Sequence, residues 1–493
     1  MPQKQNKIIV IGAGVAGLAA AIRLAVAGNE VLVLEANSYP GGKLSEFEIS
    51  GYRFDAGPSL FTLPHLVEEL LLLAGKNPKT DFPYIKLEQG CHYFYEDGTR
   101  LIAYSNPNKF GEEIEKKLGV SASIITQYLK NAKLRYEVTA PLFLEYSLHK
   151  LKNYLRLATL RGFLNVFKLN LFEPMHAENK RILKHPHLVQ YFNRFATYNG
   201  SNPYQAPALL NMIPHLEHHI GTYFPVKGMH QITQTLYQTA LDLGVTFHFN
   251  EKVEEIILDG NKVGGVRSKL SSYDADKVIS NMDIHPTYRN LLKKISAPEK
   301  LLVQEKSSSA LIFYWGVKNS FPELDLHNIF FSAEYEKEFE AIFKNESLFL
   351  DPTIYINITS KYNKSDAPPD SENWFVMINT PNNTGQDWDK WITIARENII
   401  QKLERILGKA IREHIVCEQV LDPRSIESKT SSYKGSLYGN ARNNRYAAFL
   451  RHANFHSKVN GLYFCGGSVH PGGGIPLCLN SGKIVAQLIS EGN

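Results

Sequence analysis

Cysteine is scarce in this chain, and its few thiols form no recognisable pattern. The 493 residues contain only Cys91, Cys417, Cys465 and Cys478, with no CxxC pair among them. Disulfide frameworks and structural zinc sites need closely spaced cysteines, so we expect neither, and reduced thiols indicate an intracellular protein. Cysteine chemistry is therefore not predicted.

Long hydrophobic runs and a strong net charge are also missing. The apolar stretch 14–26 is short and is interrupted by Arg23, so no transmembrane helix is expected. The polar N-terminus MPQKQNK leads directly into an apolar run and predicts no signal peptide. A formal net charge of +5 is too small to indicate nucleic-acid binding. We therefore expect a cytoplasmic protein that binds no nucleic acid.

What is present is the composition of a soluble globular chain with ample core. Hydrophobic residues make up 43% and charged residues 21%, and the length predicts two or three domains. Neither a disordered nor a fibrous protein fits these values.

The most informative motif is a glycine turn between two apolar runs near the N-terminus. Gly12, Gly14 and Gly17 follow the first run, an alanine-rich helical pattern comes next, and Glu35 ends the second run. These glycines permit a tight turn, a close approach of the backbone to a pyrophosphate and tight helix–sheet packing. A terminal carboxylate accepts hydrogen bonds from ribose hydroxyls and repels a 2′-phosphate. The segment predicts a dinucleotide site for FAD or NAD, not NADP.

Two motifs after Glu35 favour flavin over nicotinamide. The first is Gly41-Gly42-Lys43, in which open backbone amides and a cation suit phosphates. The second runs from Phe54 to Ser59 and includes Pro58. A glycine turn beside a solvated lysine is the alternative for the first motif.

Glycines return near the C-terminus in the segment 461–476, ahead of a helical pattern over 478–488. The helix N-terminus is expected to face the flavin ring, its ribityl chain or its phosphates, with backbone N–H groups of Gly467 and Ser468 as donors. A plain helix-start loop is the alternative, and pairing with the N-terminal motif argues against it.

The intervening chain predicts an interrupted organisation. A helical pattern over 232–243 precedes a strand at 245–250, and a buried strand ends in the polar tip Asn281–Asp283. Further strands are expected over 307–317 and 374–379 as a separate sheet. We predict a cofactor domain from 1–78, 223–290 and 415–493, a helical membrane or substrate subdomain at 79–222, and a substrate-binding sheet domain at 291–414.

The segment 146–184 interleaves basic residues with leucine and aromatic residues. Such a pattern suits contact with an anionic membrane surface. The basic residues do not form one helical stripe, so a solvated cap over the core stays open as an alternative. The basic residues are Lys150, Lys152, Arg156, Arg161, Lys168, Lys180, Arg181 and Lys184.

The cluster His215, His218 and His219 is the strongest candidate for a metal. No other ligand group accompanies it, and hydrogen-bonded polar histidines are the commoner explanation. We predict no metal site.

Three segments together resemble the bacterial carotenoid desaturases over nearly the whole chain. They are GGSVHPGGGIP at 466–476, GSLYG at 435–439 and FATYNGSNP at 195–203. The GSLYG and GGSVHPG forms are more similar to the hydroxycarotenoid 3,4-desaturase branch than to the phytoene desaturase branch. Lys43 in place of the usual arginine, Gly473-Gly474 and the Arg451–Asn454 segment depart from the family pattern and blur the substrate assignment.

The resemblance implies an α/β flavoprotein of the amine-oxidase-like type, with a Rossmann-like FAD-binding domain and an inserted mixed sheet and helical subdomain. It implies FAD-dependent removal of two hydrogens from the C3–C4 bond of a 1-hydroxylated acyclic carotenoid end, such as that of a γ-carotene derivative. Multi-step phytoene desaturation and carotenoid isomerisation remain alternatives. A flavin-free lipid carrier of the GDP-dissociation-inhibitor kind and an amine oxidase are the other classes. The electron acceptor, quinone or oxygen, stays open, and we expect peripheral association with the inner membrane.

The resemblance also implies roles for individual residues, whereas no catalytic residue is assigned. Glu35 would hold the ribose, Lys43 the phosphates and Val253 the adenine. Pro58 and Ser59 would lie near the flavin. The predicted cofactor-binding residues are Gly12, Gly14, Gly17, Glu35, Gly42, Lys43, Pro58, Ser59, Val253, Asn281, Leu437, Gly467, Ser468 and Ile475.

Overall fold

Two large β-sheets organise the chain, as seen in a computed structural model that describes residues 5–144, 146–150, 170, 173–444 and 451–492. The first is a five-stranded sheet in which all neighbouring strands are parallel. Its strands, in spatial order, are Leu462–Phe464, Lys277–Ser280, Lys7–Ile11, Glu30–Leu34 and Thr246–His248. Parallel sheets are covered on both faces, which accounts for the continuous apolar runs in these strands.

The helix Val15–Val26 joins the two N-terminal strands and packs against the C-terminal helix Ile475–Ser490. Gly482 permits this contact, because a Cβ there would lie 2.6 Å from the carbonyl oxygen of Ala16. The C-terminal glycine loop is therefore anchored beside the N-terminal βαβ unit.

The second sheet has seven strands and is mixed. Its strands, in spatial order, are Ile415–Leu421, Ser309–Lys318, Ser371–Thr380, Ile354–Asn357, His327–Phe330, Gln89–Phe94 and Arg100–Tyr104. Every pair is antiparallel except His327–Phe330 with Gln89–Phe94. One face packs on the helix Trp388–Leu407 through a core that includes Trp315, Trp374 and Phe330. The other face turns toward the cofactor-binding half.

Smaller sheets connect these two. A three-stranded antiparallel sheet consists of Val253–Asp259, Lys262–Ser268 and Ser272–Asp274. Two ribbons pair Glu46–Ile49 with Tyr52–Asp55, and Tyr84–Lys86 with Tyr223–Pro225.

Helices surround the sheets. The remaining α-helices are His65–Leu73, Pro78–Asp81, Pro107–Leu118, Ala122–Phe143, Met175–Leu183, Pro186–Asn193, His230–Asp242, Ile284–Pro286, Glu299–Leu302, Tyr335–Phe343 and Pro423–Thr430. The 3-10 and π turns are Arg194–Asn199, Ala208–Met212, Leu216–Ile220, Thr287–Leu291, Thr359–Lys361, Lys364–Asp366, Arg412–His414 and Tyr433–Gly435. No helix in the described part of the chain is both long and apolar enough to span a membrane.

The predicted α/β architecture is confirmed, since a Rossmann-like parallel sheet is joined to a second, mixed sheet and to helices. The division into domains stays a prediction, and three strands pair outside the segments assigned to them. Gln89–Phe94 and Arg100–Tyr104 fall in the predicted helical subdomain, yet they join the seven-stranded sheet. Ile415–Leu421, assigned to the cofactor domain, pairs with Ser309–Lys318. Short strands reveal their period in sequence but not their partner, which is why these assignments differ.

The predicted membrane-surface segment falls largely on residues 151–169 and 171–172, which lie outside the described residues. In its described part, Arg181 pairs with Glu173, and the Lys150 ammonium lies 4.4 Å from the centre of the Phe455 ring.

Candidate cofactor site

The N-terminal glycine turn has the geometry that a close backbone approach requires. Gly12 adopts φ +96°, and a Cβ at Gly17 would collide with the Gly12 carbonyl oxygen. Gly14 is the N-cap of the first helix, and because glycine has no side chain it cannot cap the N–H groups of the first turn. The first-turn N–H groups of this helix therefore remain available to an anion.

Glu35 is held tightly against this turn. One carboxylate oxygen accepts the Ala13 N–H at 2.7 Å, and the other accepts the Asn37 N–H at 2.8 Å. Its residue is only 5% exposed, so the carboxylate is positioned by the backbone of the turn. Its role toward a ribose remains a prediction.

Lys43 links the second motif to a distant loop. Gly42 lies against Gly14, since a Cβ on it would be 3.7 Å from the Gly14 Cα. The Lys43 ammonium donates to the carbonyl oxygens of Ser436 at 3.1 Å and Leu437 at 2.9 Å. Burial lowers the pKa of Lys43, although the charge of Asp283 opposes that shift. Four of the predicted positions thus lie together.

Asn281 lies between the two glycine loops. Its amide nitrogen donates to the Gly12 carbonyl oxygen at 3.3 Å, and a Cβ at Gly466 would be 2.7 Å from its amide oxygen. Ser468 Oγ accepts the Ile284 N–H at 2.9 Å, which fixes the loop that precedes the C-terminal helix. Ile475 is the first residue of that helix, so Asn281 lies between the glycine loops that precede the two helices.

Val253 lies on the glutamate side of this site. It begins a strand of the three-stranded sheet, and it shares a core with Leu34. Two residues earlier, the Glu251 N–H donates to the Glu35 carbonyl oxygen at 2.8 Å. The structure therefore brings Val253 near the end of the dinucleotide motif where an adenosine is expected.

Ser59 connects the cofactor half to the second sheet. Its hydroxyl lies 2.8 Å from the Tyr355 hydroxyl, which lies 2.7 Å from His327 Nδ1. Burial and the charge of Arg194 lower the pKa of His327 to about 3, so this imidazole is neutral at physiological pH. The adjacent Pro58 is half-buried on the same loop.

The sheet face beneath Ser59 is apolar and partly accessible. Its members pack against Tyr52, Phe54 and Leu437 from the cofactor half. Tyr355 and Met377 on this face are only half-buried, although they lie in the middle of the sheet. The face carries Ala310, Ile312, Tyr314, Tyr355, Phe375 and Met377.

Sequence reasoning missed three cations near the C-terminal loop: Lys306 and Arg451, which are buried, and Arg442, which is half-buried. Lys306 donates to the Leu302 carbonyl and the Asn440 side chain, and burial lowers its pKa to about 8. The only sequence signal is the departure of the Arg451–Asn454 segment from the family pattern. That departure bears on the substrate assignment and does not by itself indicate a buried charge. Buried cations, open helix N-termini and glycines that admit no Cβ together fit an anionic dinucleotide such as FAD.

His218, one of the three histidines of the cluster, has hydrogen-bond partners that are not metal ligands. His218 Nε2 lies 2.7 Å from the Tyr191 hydroxyl, and its Nδ1 lies 3.0 Å from the Tyr104 carbonyl oxygen. Burial lowers its pKa to about 3. This residue is accounted for by hydrogen bonds inside the core.

Comparison with known proteins agrees with this geometry. Residues 15–490 match the family described as flavin containing amine oxidoreductase. A 1-hydroxycarotenoid 3,4-desaturase from Flavobacterium sp. (strain P99-3) is 53% identical over 488 residues, which covers 99% of this chain and 100% of that protein. A 4,4'-diapolycopene oxygenase from Methylomonas sp. is 34% identical and covers 98% of both chains. A putrescine oxidase triple mutant superimposes with a TM-score of 0.65 at 15% identity, over 99% of each chain, and shares the fold.

The fold and the site thus define an FAD-dependent oxidoreductase. More particularly, the chain belongs to the flavin containing amine oxidoreductase family.

Proposed function

We propose that this enzyme is a carotenoid desaturase that introduces a C3–C4 double bond into a 1-hydroxylated acyclic carotenoid end. The observation that carries the proposal is the 53% identity to a 1-hydroxycarotenoid 3,4-desaturase over the full length of that protein. The oxygenase relative is 34% identical, so similarity favours desaturation beside a hydroxylated end.

The apolar sheet face supports a long, hydrophobic substrate. Register pairs place one row of side chains across six neighbouring strands. At about 4.8 Å per strand, the part of this row from Leu421 to Tyr355, whose members include three half-buried side chains, is about 14 Å long and suits part of an extended polyene. Ile329 and Tyr93 at the other end are buried against the helical core. The row consists of Leu421, Ile312, Met377, Tyr355, Ile329 and Tyr93.

The chain's own residues would hold the cofactor and keep water from the reacting bond. When bound, FAD supplies the acceptor for the hydride. Glu35 would bind the ribose, the turn at Gly12–Gly17 the pyrophosphate and Val253 the adenine, while Lys43 would stay near the phosphates. The Ser59–Tyr355 hydrogen bond would keep the flavin-side loop against the sheet face, so that the substrate bond is positioned in a dry site.

We also propose where the enzyme acts and which compound reoxidises its cofactor. A carotenoid dissolves in the bilayer, so a cytoplasmic enzyme that binds the inner-membrane surface can reach it, and quinone or oxygen would reoxidise the cofactor. Flotation with anionic liposomes, compared with neutral ones, tests the membrane contact. Anaerobic turnover with and without a quinone tests the acceptor.

The reaction itself is tested with FAD-loaded protein in liposomes that contain phytoene, γ-carotene or a 1-hydroxylated carotene. Chromatography with absorption and mass detection follows each product. We expect loss of two hydrogens from the hydroxylated substrate alone. A matched pair checks the cofactor site: Glu35→Gln removes the charge of the buried carboxylate and weakens FAD retention, while Glu30→Gln changes an exposed residue at the other end of the strand.

Other outcomes assign the protein differently. Several desaturations of phytoene would place it with phytoene-type enzymes, and a shifted spectrum at constant mass would indicate an isomerase. No change in any substrate, with bound FAD intact, would contradict the carotenoid proposal.

A further inference from the structure

Two arginines lie side by side beneath the C-terminal glycine loop. Arg451 donates to the carbonyl oxygens of Gly467 at 3.0 Å and Asn440 at 2.8 Å. Arg442 donates to the Pro471 carbonyl oxygen at 3.0 Å. A Cβ at Gly472 would lie 3.1 Å from both guanidinium groups, so this glycine keeps the loop backbone against the pair.

Among the residues that the structure describes, no carboxylate contacts this pair. Within the described ranges, neither guanidinium forms an ion pair with a carboxylate, and the Nε atoms of both arginines are buried without a hydrogen-bond partner. Burial and the neighbouring Arg442 charge lower the pKa of Arg451 to about 9, and burial lowers that of Arg442 to about 10. Cys478 and Asp283 oppose this shift of the Arg451 pKa, and the effect of each is smaller than that of burial.

The surrounding cations repeat this arrangement. The ammonium groups of Lys43 and Lys306 donate to carbonyl and amide oxygens of the same loop, residues 436–440. A buried charge paired only with neutral dipoles destabilises a protein unless an anion joins it. The region therefore holds an excess of positive charge that an anionic ligand would neutralise.

The position of the pair indicates which part of FAD it faces. The pyrophosphate is expected at the first helix, beyond Asn281 from the C-terminal loop, whereas the pair lies under the loop that begins the C-terminal helix at Ile475. That helix N-terminus adds a dipole of the same sign.

We propose that Arg442 and Arg451 stabilise the negative charge that hydride transfer leaves on the flavin ring. A hydride carries two electrons and one proton, so the neutral oxidised ring becomes an anion, and the second hydrogen of the substrate bond leaves as a proton. Positive charge fixed in a dry site favours the anionic state over the neutral one. The pair thus makes bound FAD a stronger oxidant.

The test compares the charge-removing Arg442→Gln and Arg451→Gln with the charge-keeping Arg442→Lys and Arg451→Lys. The midpoint potential of bound FAD is measured at saturating FAD, together with the dissociation constant for sulfite, which binds oxidised flavin and leaves negative charge on the ring. We expect each glutamine variant to lower the equilibrium constant for two-electron reduction at least tenfold, which is about 30 mV. Sulfite binding weakens tenfold or more, and the lysine variants stay within about threefold of wild type. Arg424→Gln, which removes an exposed and ion-paired cation, changes neither value.

Three results would overturn the proposal. An unchanged potential in Arg442→Gln would do so, as would an equal shift in its glutamine and lysine variants, because charge would then be irrelevant. FAD binding that weakens equally in the oxidised and reduced states would mean that the pair only holds the cofactor. If Arg451→Gln fails to fold in a thermal unfolding assay, Arg442→Gln decides alone, since its side chain makes one described hydrogen bond.

Discussion

Arg53 is half-buried and Arg451 is buried, and the surroundings of these two arginines are opposite. Arg53 contacts the carboxylates of Asp55, Asp366 and Glu46, and these partners raise its pKa despite burial. Within the described ranges, Arg451 donates hydrogen bonds only to carbonyl oxygens, and burial lowers its pKa to about 9. A paired cation contributes to stability in the folded chain, whereas an unpaired one indicates a place where a ligand supplies the missing charge.

Removal of the Arg53 cation from its three carboxylates should have the largest effect on the free energy of unfolding. Arg53→Met leaves three carboxylates near one another without their cation, so we expect a loss of about 3–5 kcal/mol in the free energy of unfolding. Urea unfolding with and without FAD measures it. The same loss is expected in both, because Arg53 serves the fold; a loss confined to the FAD-loaded protein would contradict this.

A second effect concerns pH and the same cluster. Burial, with repulsion from Asp55, raises the pKa of Asp366 to about 6 even though Arg53 opposes the shift. An acid whose folded pKa is raised is more stable when protonated, so its contribution to stability falls as pH rises from about 4 to about 6. Asp366→Asn removes this fall and stabilises the protein by about 1–3 kcal/mol at pH 7. Urea midpoints at pH 4 and pH 7 check it, and parallel pH dependence in both proteins would refute it.

The Asp283 carboxylate provides a further test of the cations near the C-terminal loop that have no carboxylate partner. Burial lowers the pKa of Lys43, Lys306 and Arg451, and the negative charge of Asp283 opposes that shift in each of them. Asp283 therefore offsets part of the excess positive charge. Asp283→Asn retains the capping oxygen toward the His285 N–H. We expect bound FAD to become a stronger oxidant, with an equilibrium constant for reduction raised by less than about tenfold, because Asp283 is half-exposed. A shift in the other direction would show that Asp283 serves a different purpose.

The smallest effect is expected at an exposed pair. Arg424 contacts Asp389 and Asp422 and is 44% exposed in its side chain. Arg424→Gln should change the free energy of unfolding by less than about 0.5 kcal/mol, because water screens such pairs. A larger change in urea unfolding would mean that exposure is a poor guide to the worth of these arginines.

The cofactor half of the fold was readable in sequence because its signals are local. The strand, glycine turn and helix from Lys7 to Val26 follow one another without interruption, and the strand at Lys277–Ser280 ends in the expected Asn281. The family match over residues 15–490 confirms the flavin family and the FAD that these motifs predicted. Residue spacing was sufficient for the N-terminal unit, since its two strands pair with each other and are joined directly by their helix.

Contacts between distant segments were not readable. Gln89–Phe94 pairs with His327–Phe330 more than 230 positions later, and Ser59 meets Tyr355 across a separation of 296. The arginine pair was equally hidden, because a missing counter-charge is a property of the folded surroundings. In the sequence, Arg451 is one basic residue among many. Its burial among carbonyl oxygens is what indicates a role toward an anionic ligand.

A crystal structure of the FAD-loaded protein would test most directly whether Arg442 and Arg451 lie beneath the flavin ring. We expect the flavin ring to lie against the loop at Gly467–Gly474, above Arg442 and Arg451, with no other anion between the ring and the arginines. A ring placed elsewhere, or an inorganic anion that neutralises the pair while FAD is bound, would contradict it.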